Sequence, residues 1–117
     1  FDVGFVTYAN HAKSEILGID IKDLDKSGAV SEVVVMAMAE GCLKRTGADH
    51  AVAVTGIAGP TGGTKEKPTG TVFIGIASQE NPTFVDSFCF KTDRLMFKEK
   101  VSLTAINLLR KRIIGLL

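Results

Sequence analysis

The sequence predicts an α/β domain: a three-layer α/β/α sandwich around a mixed β-sheet that contains an antiparallel strand. Three observations carry this. Short β-branched and aromatic runs alternate with segments of helical spacing, the order expected of layered α/β folds. One run, DHAVAVTGIAG (Asp49 to Gly59), is almost wholly apolar, as a central strand covered on both faces is. Two further runs, TGTVFIGIAS and PTFVDSFCF, are separated only by Gln79, Glu80 and Asn81, a short link that favours an antiparallel hairpin.

Taken in order, FDVGFVTY (Phe1 to Tyr8) reads as a strand with Tyr8 at its C-terminal end. Asn10 is placed to cap a helix through Leu17 that Gly18 ends. IDIKDLDKSG reads as a turn. Ser31 then opens a helix in which Val34, Val35, Met38, Cys42 and Arg45 recur at helical spacing. Glu32 suits its first turn, Lys44 and Arg45 its last, and Gly47 its end. The apolar strand and the hairpin follow. Thr92 is placed to cap a last helix with an apolar stripe of Leu95, Val101, Ala105, Leu108, Leu109 and Ile113, its C-terminal pole matched by Arg110, Lys111 and Arg112.

Composition bounds the function. The 117 residues are 45% hydrophobic and 23% charged, enough for one domain, residues 1–117, with its own core. A formal charge of +1 gives no global field to recruit nucleic acid or an anionic membrane. Cys42 and Cys89 lie far apart without a CxxC motif and read as small buried apolar residues in a reduced, cytoplasmic setting. No apolar run approaches the roughly 20 residues of a membrane span, and no export signal is evident. His11 and His50 have no partners at metal-ligand spacing, so neither a metal nor any other cofactor is called for.

The stretch VTGIAGPTGGTKEKPTGTVFIGIA, from Val54 to Ala77, carries the strongest chemical signal. It is not a P-loop, which needs GxxxxGK[ST] running into a helix, and it fails the dinucleotide fingerprint for the same reason. Gly56, Gly59, Gly62 and Gly63 instead allow a nest whose backbone N–H groups converge on an anion or a carbonyl oxygen. Thr55 stands at the carboxyl end of the preceding strand, where open α/β sheets bind ligands. Lys65, Glu66 and Lys67 read as a solvated loop tip.

These residues, with GAVSEVVVMAMAEG and GFVTYANHAK, resemble the C-terminal domain of the CinA (competence/damage-inducible) family, whose stand-alone members are nicotinamide-nucleotide amidases. The resemblance runs essentially from Phe1 to the last helix. It implies hydrolysis of the carboxamide of nicotinamide mononucleotide, giving nicotinic acid mononucleotide and ammonia in pyridine-nucleotide recycling. The family's TYSNxAK-like segment falls on Thr7 to Lys13, with Ala9 where serine is commoner. Tyr8, Lys13 and Thr55 are thereby the expected catalytic residues. Asn10, Gly56, Ile57, Ala58, Gly59, Gly62, Gly63 and Arg94 are the expected substrate-binding ones. Amide hydrolysis needs donors for a tetrahedral oxyanion and an acid for departing ammonia. Thr55 and the amides from Gly56 to Gly59 suit the first need, Lys13 and Tyr8 the second, and Arg94 a ligand phosphate. Singly, each has an ordinary structural reading; the joint occurrence points to a site.

Family members also carry an AESCTGG-like segment whose serine is the natural nucleophile, and that segment has no counterpart from Phe1 onward. Two expectations follow. One is an amidase seen without that segment; the other is a catalytically inactive nucleotide-binding or oligomerisation module of a truncated CinA-like protein. Attachment to a longer two-domain CinA protein is a further expectation. An exposed sheet edge and the apolar last helix predict a homo-oligomer.

Overall fold

The computed structural model describes residues 1–117. Its elements run α1 (Asn10–Leu17), α2 (Ile21–Ser27), α3 (Glu32–Thr46), β1 (His50–Gly56), β2 (Thr71–Ser78), β3 (Phe84–Cys89) and α4 (Arg94–Ile113). The strands form one sheet in the order β1-β2-β3.

The helices begin where short polar side chains can replace a missing backbone partner. Ser31 accepts from the Val34 amide at 3.3 Å, and Asp20 accepts from the Lys22 amide at 2.9 Å. Asp93, not Thr92, caps α4 by accepting from the Met96 amide at 2.9 Å. Asn10 is the first helical residue of α1 rather than its cap; Ala9 holds the cap position with no side-chain bond. The stretch read as a turn contains α2. Its Asp20 cap and Gly28 end are ordinary helix signals, but its seven residues bury only Leu24, too short a stripe for periodicity to register.

Sheet alternation divides the core in two. Val72, Ile74 and Ile76 of β2 pack beneath Phe97, Val101, Ala105 and Leu108 of α4. Ala51, Ala53 and Ala77 point the other way, against Val35 and Ala39 of α3. The three layers are therefore α3, sheet and α4. Each fully buried aliphatic contributes about 1.5–3 kcal/mol, and cutting Ile74 back to alanine costs about 2–5 kcal/mol. A smaller cluster of Leu17, Ile19, Leu24 and Val34 fastens α1 and α2 to the outer side of α3. Gly41 makes that crossing possible, because a Cβ there would lie 2.0 Å from the Leu17 carbonyl oxygen.

Several expectations change. The layered α/β class stands, but the sheet is antiparallel throughout, since β1 pairs with β2 and β2 with β3 in that sense. Phe1 to Tyr8, read as a strand, is not one. It has no ladder partner, only Phe5 and Thr7 turn inward, and Phe1, Val6 and Tyr8 project outward. β1 is an edge strand rather than a central one, so Val52 and Val54, on its α4 side, remain 39% and 38% exposed. The α4 stripe shifts too: Leu95 and Ile113 face outward, whereas Phe97 and Arg112 are buried. Cys89 is exposed and Cys42 half-buried, so neither is a core residue. No helix is long and apolar enough to cross a membrane.

Candidate functional site

The carboxyl end of β1 opens into a cleft of about 350 Å³ whose polar wall is Thr7, Tyr8, Lys13, Thr55 and Gly56. Phe5, Val6, Val30, Met38 and Val54 give it an apolar side. A flat ring with one polar substituent suits such a lining, and the volume lies within the range of small-ligand sites. A second concavity, about 300 Å³ at the opposite end of β1, is lined by Asp49, His50, Ser78, Gln79, Glu80 and Asn81 and has no apolar wall.

Lys13 dominates the electrostatics. It is only 7% exposed, and its Nζ donates to the Thr7 carbonyl. Burial pushes its amine below the usual lysine range, because the ammonium loses hydration that one carbonyl does not replace. α1 sets this position. Lys13 lies one turn into the helix on the same side as Leu17, the other residue of α1 that is buried. Tyr8, just before α1, is 90% exposed at the rim. Asn10 is exposed as well and does not line the cleft.

Thr55 is buried on the α3 side of β1, and its hydroxyl donates to the Ala29 carbonyl at 2.8 Å. That bond uses its single proton. Its oxygen can still accept, so Thr55 is placed to receive an amide N–H and not to donate to an oxyanion. The Ile57 amide is likewise spent on the Thr71 carbonyl at 2.8 Å. The amides of Ala58 and Gly59 engage no backbone carbonyl.

The glycine loop packs on itself beyond the cleft. Gly59 has φ +82°, and a Cβ there would lie 2.3 Å from the Thr69 methyl group, so only glycine fits. Gly62 and Gly63 are exposed and, with Ala58 and Gly59, do not line the cleft. Arg94, the first residue of α4, is exposed and donates from Nη1 to the Gly59 carbonyl at 3.0 Å. It thus braces the loop with one donor and leaves the remainder of its fork to solvent.

The structure therefore brings together Tyr8, Lys13, Thr55 and Gly56, and leaves Asn10, Gly59, Gly62, Gly63 and Arg94 around them. Sequence reasoning missed the linker between α2 and α3, where the Ala29 carbonyl orients Thr55 and Val30 lines the cleft. It also missed Lys67, half-buried with its Nζ 2.7 Å from the Ser27 carbonyl rather than solvated. A backbone acceptor has no side-chain signature, so the only available clue was the Asp20 cap announcing a helix that must end near Ser27.

Residues 1–113 match the CinA C-terminal domain family. The chain belongs to that family. A CinA-like protein of Akkermansia muciniphila is 52% identical over 106 residues, which cover 91% of this chain and 26% of that protein. The nicotinamide-nucleotide amidohydrolase PncC of Escherichia coli is 43% identical over 109 residues, covering 93% of this chain and 66% of that one. The crystal structure of competence/damage inducible protein CihA from Agrobacterium tumefaciens superposes with a TM-score of 0.88 at 39% identity, over 91% of this chain and 65% of that one. This CinA-type chain thus spans about a quarter of the length of its larger relative and about two thirds of the smaller.

Proposed function

We propose that this domain takes part in hydrolysing the carboxamide of nicotinamide mononucleotide to nicotinic acid mononucleotide and ammonia. The observation that carries the reading is a buried, poorly solvated Lys13 facing the same apolar-walled cleft as Thr55. The name of the Escherichia coli relative, an amidohydrolase of nicotinamide nucleotides, supplies the substrate class.

The chemistry follows from proton inventory. The nucleophile's oxygen adds to the carboxamide carbon, the C–N bond breaks, and the amide nitrogen leaves as ammonia once it has gained a proton; with a serine as nucleophile, water then cleaves the acyl ester to release the acid. A lysine whose pKa is lowered by burial exchanges that proton near neutral pH more readily than a solvated one. Thr55, its own proton committed to Ala29, accepts from the amide N–H and so orients the leaving nitrogen toward Lys13. Phe5, Val30 and Met38 provide the apolar side for the pyridine ring. The family resemblance gives the nucleophile to the serine of an AESCTGG-like segment, which is not among residues 1–117, so the residues described here supply binding and proton transfer.

A second reading, a nucleotide-binding module without catalysis, is favoured by one observation: the Thr55 hydroxyl has an ordinary structural partner. Ammonia release from nicotinamide mononucleotide by the full-length protein separates the two. Thr55→Val keeps the shape and removes the acceptor; turnover should fall about 10- to 100-fold, on the scale of one misplaced reacting group. Unchanged turnover would remove Thr55 from the site.

A further inference from the structure

Two side chains from the β1 side reach across to the end of α2 and the linker that follows it. Thr55 Oγ1 donates to the Ala29 carbonyl at 2.8 Å, and Lys67 Nζ donates to the Ser27 carbonyl at 2.7 Å. Ser27 is the last residue of α2, so its carbonyl is one of the acceptors a helix end leaves without an intrahelical partner. An ammonium is a strong donor to such an oxygen. Lys67 is half-buried, while Lys65 and Glu66 beside it are exposed.

The backbone around Lys67 is also fixed. The Thr64 amide donates to the Lys67 carbonyl at 2.8 Å, and the Lys67 amide donates to the Thr64 hydroxyl at 3.0 Å. These bonds close a tight turn that holds the lysine stem in place. At its other end the glycine loop is tied through the Gly59 carbonyl to Arg94 of α4. The loop therefore bridges the two helix layers across the end of the sheet, with Arg94 gripping one side and Lys67 the other. The helix end that Lys67 grips leads directly into the linker that orients Thr55 and contributes Val30 to the cleft.

We infer that Lys67 is a positioning residue: a latch that holds the glycine loop against the α2–α3 linker and thereby sets how tightly the cleft retains its ligand. The latch stands on geometry; only the choice of nicotinamide mononucleotide as probe rests on the amide-hydrolysis reading. Lys67 lies outside the cleft lining and takes no part in bond breaking. Its loss should therefore weaken ground state and transition state alike, raising KM and sparing kcat.

The test compares the full-length protein with Lys67→Met and Lys67→Arg by amide hydrogen exchange and by steady-state kinetics on nicotinamide mononucleotide. Exchange between Gly59 and Thr69 should quicken about tenfold in Lys67→Met, the scale of one lost charge-assisted hydrogen bond. KM should rise about three- to tenfold with kcat within about twofold. Lys67→Arg, which keeps a cationic donor of similar reach, should restore most of both. Unchanged exchange, or a fall in kcat at constant KM, overturns the latch. Absence of turnover in the unsubstituted protein together with quickened exchange in Lys67→Met retires the deamidase reading and leaves the latch standing.

Discussion

At the His50 end of β1, Ser78 Oγ lies 3.0 Å from His50 Nδ1 and 3.3 Å from Arg112 Nη1, and the same guanidinium reaches the Pro82 carbonyl at 3.1 Å. At the Thr55 end, five residues along the same strand, Lys13 has one carbonyl partner and a cleft with an apolar side. Both ends bury a cation: Arg112 and Lys13 are each 7% exposed. They differ in what the cation faces. The Nη1 of Arg112 is shared between two oxygens that tie α4 to the sheet and the β2–β3 turn, and its buried Nε has no partner. Lys13 is left under-solvated beside an open cleft. A buried charge shared among structural oxygens holds parts together; one short of partners next to a cavity is available for chemistry.

The largest expected effect comes from the Lys13 end. Lys13→Met should lower kcat for amide hydrolysis about 100- to 10,000-fold, the range lost with a general acid. Stability should move the other way. The folded value of Lys13 is depressed by burial, so while it is protonated the folded state carries the cost of a desolvated ammonium. That cost is present below the depressed value and is relieved as pH rises through it toward the ordinary lysine value of about 10.4. Lys13→Met should therefore match or exceed the parent in urea unfolding at pH 7, with the difference shrinking by about pH 10.4. A strongly destabilised variant would make Lys13 structural, like Arg112.

The structural end should respond in stability alone. Arg112→Met removes the bonds to Ser78 and Pro82 but also a buried, partly unpartnered charge, so the two terms oppose. Water can reach Pro82, which is exposed, and a net loss of about 1–2 kcal/mol is expected from urea unfolding. Amide hydrolysis should stay within about twofold of the parent, on the scale of experimental scatter in distant substitutions. A parallel fall in turnover would show that the two ends are coupled through β1.

How much of this was readable in the sequence follows the same division. The helices from Glu32 and Arg94, and the hairpin of β2 and β3, were legible because period and turn chemistry are local. The edge position of β1 was not. VAV reads as central by composition, but which strand lies beside it is a non-local fact, and Val52 and Val54 are left half-covered. At the site, Lys13 and Thr55 were located by their motifs. Their partners are the Thr7 and Ala29 carbonyls, groups that every residue possesses and no sequence singles out. Arg112 was read as one of three basic residues at a helix pole, and only packing distinguishes it from Arg110, which stays exposed and bonds Asn107.

Arg94 sharpens the contrast at the smallest scale, because the size of the effect and its dependence on the phosphate separate its two roles. As the loop brace seen here, it makes one hydrogen bond from an exposed guanidinium to the Gly59 carbonyl. Losing such a bond costs about 0.5–1.5 kcal/mol, or roughly a two- to tenfold rise in KM. As a fork on the ligand phosphate it would make a bidentate, charge-assisted pair, roughly twice as strong per bond. Arg94→Lys keeps the charge and gives up the fork. An increase in KM of about two- to fivefold for nicotinamide mononucleotide, with nicotinamide riboside affected equally, is the expected result and fits a brace that touches no phosphate. A rise well above tenfold that appears with the nucleotide and vanishes with the riboside would move Arg94 from the loop's support into the ligand's first contacts, since only the phosphate distinguishes the two substrates.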